Sequence, residues 1–183
     1  VGEVDITVGT SYEAVGEALS AGTADVGLIP GGTYALYDDG CDVLLTATRD
    51  GLSIDSDSAK DWNDQKPTEA TDKQVTFYRG LIITGPSEKG KELAAKINNG
   101  EALTWDDING ANWSIKDSIW DDTAVVGVTT PIYNDTISVS KTSPIMDDAF
   151  KTALQTAFIN IGNTEEGKAV IAIYSHKGYQ VAK

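Results

Sequence analysis

Two short segments rich in glycine and hydroxyl groups contain the residues of this sequence best suited to chemistry. Gly9-Thr10-Ser11-Tyr12 and Pro30-Gly31-Gly32-Thr33-Tyr34 each follow an apolar run and precede a helical pattern. Small residues let the backbone approach a ligand closely, and the first amides of a helix lack intrahelical acceptors. Such amides and hydroxyls hold an anion without a formal positive charge. The two segments therefore predict an anion-binding site.

The hydroxyl groups of Thr10 and Thr33 also have a purely structural interpretation. Thr10 and Glu13 have the spacing of a capping box, and Thr33 precedes a short helical run. A capping hydroxyl is used up by a backbone hydrogen bond. A capped helix still presents its other N-terminal amides, so capping and anion binding are compatible.

The sequence gives little support for catalysis, metal binding or cofactor binding. His176 is the only histidine and Cys41 the only cysteine, and a Gly-x-Ser-x-Gly turn is absent. We interpret His176 as a residue near the negative end of a helix dipole and Cys41 as a small, partly buried residue in an Asp-rich turn. Adjacent aspartates such as Asp106-Asp107 are typical of solvated helix caps. The sequence therefore predicts no catalytic residue, no metal site and no cofactor.

Composition and charge exclude several classes of partner. The 183 residues include 14 Lys plus Arg and 28 Asp plus Glu, a net charge of −14, and 40% are hydrophobic. This describes a soluble globular chain that has nothing to neutralise a nucleic-acid backbone or an anionic membrane. The apolar runs are far shorter than the ~20 residues that cross a bilayer. Since the chain starts at Val1 without a basic and apolar leader, we expect a processed or trimmed chain whose signal segment is absent.

Strand and helix patterns alternate in the N-terminal part of the chain. Strands are predicted over residues 4–8, 25–29 and 43–48, with a helix from Thr10 to Gly22 between the first two. This alternation favours an α/β fold with a mostly parallel central sheet and helices on both faces. Both glycine-rich segments would then lie at the carboxyl edge of the sheet, where open α/β folds bind ligands.

The remaining elements follow a less regular order. Residues 49–73 are polar and turn-rich, with Trp62 as their apolar anchor, and predict a long surface excursion. Three further strands are predicted over residues 74–84, 124–128 and 137–139. Three further helices are predicted, with N-caps at Ser87, Ser143 and Asn163 and ends at Asn99-Gly100, Gly162 and Tyr174.

Several segments together resemble the phosphate, phosphite and phosphonate binding proteins of bacterial ABC importers. The matching segments, in chain order, are residues 8–15, 18–27, 32–34, 77–83, 131–136, 163–168, 173–174 and 178–179. Each match alone is short, but they occur in the family's order and cover most of the chain. The resemblance implies a periplasmic-binding-protein-like fold that closes on its ligand.

The resemblance also implies a function and a set of ligand contacts. The chain would be the extracytoplasmic, non-enzymatic solute-binding component of an importer for phosphonate, phosphate or a related oxyanion, periplasmic or lipid-anchored, and would deliver its ligand to an ABC permease. Tyr12 and Tyr78 would donate phenolic hydrogen bonds to ligand oxygens. The full predicted ligand-binding set is Thr10, Ser11, Tyr12, Gly31, Gly32, Thr33, Tyr34, Tyr78, Asn134 and Asp135.

One large departure from the family affects the expected architecture. Family members have a whole second lobe between the parts that resemble residues 105–113 and 119–128, whereas only about five residues intervene here. We also expect the family strand upstream of Val4 to be absent from this chain. We therefore expect residues 1–183 to form a single lobe, from segments 1–113 and 114–183, with hinges near residues 113–118 and 131–136.

Two alternative functions from other classes remain open. A small α/β hydrolase or transferase could use Asp135 with Tyr133 or His176 as its reactive groups. A ligand-free interaction module could instead use the sheet edge and the tryptophans of the chain, Trp62, Trp105, Trp113 and Trp120.

Overall fold

The structure is a computed structural model that describes residues 3–64, 66–85, 87–104, 107 and 123–182. The helices, in chain order, are α1 (Tyr12–Ala21), α2 (Gly31–Tyr34), α3 (Glu88–Asn98), α4 (Asp148–Asn163) and α5 (Glu165–Ile171), and 3-10 turns span Ala59–Trp62 and Ala172–Tyr174. The strands are β1 (Val26–Ile29), β2 (Cys41–Leu52), β3 (Ala70–Val75), β4 (Phe77–Tyr78), β5 (Leu81–Thr84), β6 (Ala124–Val128), β7 (Ile132–Tyr133), β8 (Thr136–Ser140) and β9 (Gly178–Val181).

The chain divides into two compact units. Unit 1 comprises Val1–Arg49, Gln74–Tyr78 and Tyr133–Lys183, and unit 2 comprises Asp50–Lys73 and Arg79–Ile132. The single lobe that the sequence predicts, formed from segments 1–113 and 114–183, stays a prediction. The expected junction at residues 113–114, the hinge at 113–118, and Trp105, Trp113 and Trp120 lie outside the described residues.

The sheet confirms the mixed α/β class, but the expectation that it is mostly parallel is wrong for the ladders described. The strand order is β1-β8-β2-β3, and β9 also pairs with β2. β8 is antiparallel to both β1 and β2, and β9 is antiparallel to β2. β1 and β2 do run in the same direction, as the strand-helix-strand pattern requires, but β8 comes from far along the chain and lies between them. Hydrophobic patterning does not reveal such an insertion, because it reports burial and not pairing.

Two hydrophobic clusters cover the two faces of this sheet. Residues of β2 and β8, including Leu45, Ile137 and Val139, pack against Phe150 and Leu154 of α4. On the other side, Leu19, Ile29 and Cys41 pack with Val15, Tyr34 and Tyr37. Successive residues of a strand point to opposite faces, which explains how one sheet supplies both clusters. Cys41, predicted to be partly buried in a turn, is instead fully buried and is the first residue of β2.

The strand predicted over residues 4–8 is not formed. The segment has no helix or strand assignment, and its apolar side chains Val4, Ile6 and Val8 are 73%, 84% and 91% exposed. The alternation of apolar and polar residues predicts a strand, but a strand also needs a hydrogen-bonded neighbour. Within the described residues this segment has none.

Three helices of unit 1, α1, α4 and α5, begin downstream of the predicted caps, whereas α2 begins at Gly31, before Thr33. Ser11, not Thr10, is the N-cap of α1, and its Oγ accepts a hydrogen bond from the Ala14 amide at 3.2 Å. α4 begins after Asp147, whose Oδ1 accepts from the Phe150 amide at 2.8 Å. The predicted cap Ser143 instead donates its hydroxyl to Asp25 at 2.6 Å. Similarly, Thr164 caps α5 in place of Asn163.

Unit 2 is organised around the antiparallel pair β5 and β6, which contacts α3 and the 3-10 turn at Ala59–Trp62. Asn63 joins this turn to β6: its side-chain amide donates to the Val125 carbonyl at 2.9 Å and accepts from the Val125 amide at 2.7 Å. The segment predicted as a surface excursion is therefore structured. Ser87 caps α3 as predicted, and Gly100 follows that helix with a φ of +82°.

Among the residues that the structure describes, no helix combines the length and apolar composition that crossing a membrane requires.

Candidate functional site

The predicted site residues lie along one end of the unit 1 sheet, which we call the polar rim. β1 ends here and β8 begins, because Ile29 pairs with Thr136. β9 begins at the same level, since Gly178 pairs with Thr48 of β2. The polar rim is made of residues 9–12, 30–34, 47–49, 76–78, 133–136 and 176–178.

The N-terminus of α1 lies at this end of the sheet because of how α1 packs on β1. Gly27 of β1 lies against Val15 and Leu19 of α1, and a short turn at Gly22 connects the helix to the strand. The helix therefore runs antiparallel to β1, and its first residues lie level with the end of that strand. α2 directly follows β1 at the same end. The structure thus brings the two glycine-rich segments to one rim.

The first turn of α1 leaves two amides available. The Ser11 side chain accepts from the Ala14 amide, and the Ser11 carbonyl accepts from the Val15 amide. The amides of Tyr12 and Glu13 have no acceptor within the described part of the chain. The Tyr12 side chain is 58% exposed. This turn therefore presents backbone and phenolic donors to solvent, and the helix dipole adds positive potential there.

The second glycine-rich segment is shaped by close backbone packing. The N-cap of α2 is Pro30, which makes no side-chain cap, so the Thr33 hydroxyl is not used as a cap. A Cβ on Gly31 would lie 2.6 Å from the Tyr133 carbonyl oxygen, whereas a Cβ on Gly32 would have nothing within 4 Å. Gly31 therefore permits contact with the segment before β8, and Gly32 leaves open space above the backbone.

Tyr34 and Tyr78, the two remaining aromatic site candidates, differ in environment. Tyr34 packs in the cluster of Leu19 and Ile29, and burial, followed by the charges of Asp38 and Asp42, raises the pKa of its hydroxyl. Tyr78 is 49% exposed. Tyr78 is therefore available to a ligand at the polar rim, whereas Tyr34 serves packing.

Asn134 connects segments of the polar rim through hydrogen bonds. Its side-chain amide donates to the carbonyls of Ala47 and Val75, at 3.0 and 3.2 Å. Its backbone amide donates to the Thr76 carbonyl at 2.8 Å. The side chain is only 1% exposed, and its Oδ1 has no hydrogen-bond partner in the described part of the chain. Both amide hydrogens are thus committed to the main chain, and Asn134 positions the rim.

Asp135 forms a pair with His176, a combination that the sequence raised only within the hydrolase or transferase alternative. His176 Nε2 lies 3.0 Å from Asp135 Oδ2, and His176 is 7% exposed. Burial lowers the pKa of His176, the Arg49 charge lowers it further, and Asp135 opposes both effects. The two residues are 41 positions apart in sequence, so no local pattern could have indicated the contact.

The Asp135–His176 pair is one half of a hydrolytic arrangement, the alternative raised by the sequence. Within the described residues, however, no serine, threonine or cysteine hydrogen-bonds to His176. A nucleophile within hydrogen-bond reach of the base is what nucleophilic catalysis requires. The described contacts therefore do not complete a hydrolytic triad.

Comparison with solved structures places the fold. XAC2383 from Xanthomonas citri, solved bound to ATP, is 13% identical, with a TM-score of 0.55 over 98% of this chain and 79% of that chain. Mh-p37 of Mycoplasma hyorhinis, described as a proposed thiamine pyrophosphate transporter, is 14% identical, with a TM-score of 0.59 over 97% and 79% of the two chains. At these identities the similarity establishes the fold. No curated protein matches the sequence.

The family comparison covers nearly all of the sequence. The family described as ABC transporter, phosphonate, periplasmic substrate-binding protein matches residues 2–119 and 111–183. Members of this family are extracytoplasmic, non-enzymatic components that bind a small ligand and work with an ABC permease. The chain belongs to the phosphonate-type periplasmic substrate-binding proteins of ABC transporters.

Proposed function

We propose that the chain captures phosphonate, phosphate or a related oxyanion at the polar rim of unit 1, for delivery to its permease. The observation that carries the proposal is the first turn of α1, where the Tyr12 and Glu13 amides and the exposed Tyr12 hydroxyl lie at the same rim as Gly31 and Gly32. Free amides at a helix N-terminus are well suited to bind anions. The two solved relatives are associated with ATP and thiamine pyrophosphate, which both carry phosphate groups.

The proposed ligand contacts are donors from three segments. Tyr12 and Tyr78 donate from phenolic hydroxyls, and the amides near Gly31 and Gly32 donate from the backbone. Thr10, Ser11 and Thr33 contribute hydroxyls, since a serine hydroxyl that accepts one hydrogen bond can still donate its own proton. Asp135 accepts from a protonated ligand oxygen. Tyr34 and Asn134 are left out of this set, because packing and main-chain hydrogen bonds already use them.

Neutral donors resolve the difficulty of binding an anion to a chain of charge −14. Most of the 28 carboxylates need only remain solvated, because exposed charges more than a Debye length of about 8 Å apart are largely screened at physiological salt. Oriented amides and hydroxyls supply local positive potential where it is needed. The rim can therefore attract an oxyanion although the whole molecule is acidic.

Isothermal titration calorimetry with inorganic phosphate, phosphite and methylphosphonate tests the proposal. At least one of these oxyanions should bind, and Tyr12→Phe and Tyr78→Phe should each weaken that binding by about tenfold, the effect of one hydrogen bond to a charged group. Tyr37→Phe, which removes a phenol outside the polar rim, is the control. Binding of none of the three at millimolar concentration, or equal affinity in all variants, would overturn the proposal.

We also propose that a lipid anchor attaches the chain to the outer face of the cell membrane. Phase separation of the native protein in detergent would place a lipid-anchored form in the detergent phase and a free periplasmic form in the aqueous phase.

A further inference from the structure

Arg49 is a cation at the polar rim that lacks an anionic partner among the residues that the structure describes. Its Nε is buried and has no hydrogen-bond acceptor, and the structure gives the guanidinium no ion pair within the described residues. Leaving a buried charged donor unsatisfied costs more free energy than leaving a neutral one unsatisfied. The other cations with short contacts are paired: Arg79 with Asp55 at 2.6 Å, Lys96 with Asp107 at 2.7 Å and Lys151 with Asp42 at 2.8 Å. In a chain with twice as many carboxylates as cations, an unpaired arginine requires a specific explanation.

The backbone around Arg49 is fixed by the other segments of the rim. The Ala47 amide donates to the Asp135 carbonyl at 2.8 Å, and the Asn134 side chain donates to the Ala47 carbonyl. The Lys177 amide donates to the Thr48 carbonyl at 2.8 Å, and the Thr48 hydroxyl donates to Gln74 at 2.6 Å. A residue that follows such anchored neighbours is held at a defined position, as a ligand-binding group must be.

The direction of the Arg49 side chain follows from strand alternation. Arg49 and Ala47 lie on the same face of β2, and Ala47 pairs with Tyr179 of β9. The Arg49 charge also lowers the pKa of His176, which pairs with Asp135 at the polar rim. The guanidinium therefore lies on the α4 side of the rim, whereas the α1 and α2 amides approach from the other side of the sheet.

We propose that Arg49 supplies the positive charge that pairs with the ligand oxyanion at the polar rim, opposite the neutral donors of α1 and α2. This inference rests on the proposed function and specifies it: the ligand carries at least one full negative charge, held by a charge-assisted hydrogen bond from a guanidinium N–H. Arginine suits this role because its planar fork matches the oxygens of a phosphoryl or phosphonyl group.

Calorimetry on three variants separates this inference from the proposed function. With whichever of phosphate, phosphite or methylphosphonate the wild type binds most tightly, Arg49→Gln should lose about ten- to a hundredfold in affinity. Arg49→Lys should retain part of it, because it keeps the charge but not the fork. Lys168→Gln is the matched control, since it removes the same charge from an exposed side chain of α5 and should change little.

The outcomes are distinct. If Arg49→Gln binds as tightly as the wild type, Arg49 is not a ligand group, and the proposed function stands. An equal loss in Lys168→Gln would show that only the net charge matters and would also overturn the inference. If the wild type binds no oxyanion, both the inference about Arg49 and the proposed function fail.

A ligand-free measurement checks the geometry and guards against a folding defect. NMR titration of the His176 ring in Arg49→Gln should give a higher pKa than in the wild type, because a neighbouring positive charge has been removed. The ring also faces Asp135, which both proteins retain. An unchanged His176 pKa in a folded variant would show that the guanidinium does not reach this part of the rim.

Discussion

At the scale of single residues, the site is defined by what each side chain is already bonded to. Ser11, Gly31 and Gly32 could be identified from the sequence, because residue type alone indicates a cap or a close backbone approach. His176 and Arg49 could not, since their roles depend on Asp135 and on an anion that no local pattern specifies. The hydrogen bonds from Asn134 to the Ala47 and Val75 carbonyls could not be predicted either, because both carbonyls are distant in sequence.

His176 should make stability depend on pH. Burial lowers its pKa in the folded protein, despite the opposing Asp135 carboxylate, below the value of about 6.5 in the unfolded chain. As the pH falls below that value, the unfolded chain takes up the proton first, so the free energy of unfolding decreases until the folded pKa is passed. Above about pH 7 both states are neutral and His176 contributes no pH dependence.

Urea unfolding between pH 5 and 8 tests this expectation. The wild type should lose stability toward pH 5, and His176→Gln should show a smaller loss over the same range, because glutamine does not titrate. Parallel stability profiles of the two proteins would contradict the assignment.

At the scale of elements, which helices exist was predictable, but where they start was not. α1 and α4 begin at Tyr12 and Asp148, because Ser11 and Asp147 provide the bonded caps. Several residues near each start could cap, and tertiary contacts select among them: the Ser143 hydroxyl is taken by Asp25. Strand pairing was less predictable still, because the insertion of β8 between β1 and β2 depends on a distant segment.

The cap of α1 provides a matched pair of variants. Ser11→Ala should lower the free energy of unfolding by about 1 kcal/mol, because the Ala14 amide loses its acceptor. Thr10→Ala should change it by less than about 0.5 kcal/mol, the usual range for an exposed side chain. Chemical denaturation measures both, and a larger loss in Thr10→Ala would restore Thr10 as the cap.

Gly31 and Gly32 provide a second pair of variants, for which we expect different effects on stability. Gly31→Ala should destabilise the protein by about 1–3 kcal/mol, because its methyl group would lie 2.6 Å from the Tyr133 carbonyl oxygen. Gly32→Ala meets no atom within 4 Å and should be neutral or slightly stabilising, since it restricts the unfolded chain. Melting temperatures distinguish them, and equal effects would contradict the packing described at α2.

At the scale of the whole molecule, the mixed α/β class and the family were accessible from the sequence, whereas the arrangement into units was not. Residues 50–73 resembled a solvated excursion because they are polar, yet Asn63 bonds both backbone groups of Val125 and makes them part of unit 2. The sequence cannot distinguish a polar side chain that hydrogen-bonds to the backbone amide and carbonyl of a strand residue from a polar side chain that faces water. All ten predicted ligand residues nevertheless fall in unit 1.

The central claim is that the polar rim of unit 1 binds an oxyanion through the first amides of α1 and α2. Backbone amide NMR during titration with inorganic phosphate tests it most directly, against sodium chloride at the same ionic strength. We predict that phosphate shifts the amides of Tyr12, Glu13, Gly31 and Gly32, while the capped N-terminus of α3 at Glu88 stays unchanged. Equal shifts at α3, or no response at the polar rim up to millimolar phosphate, would contradict the account.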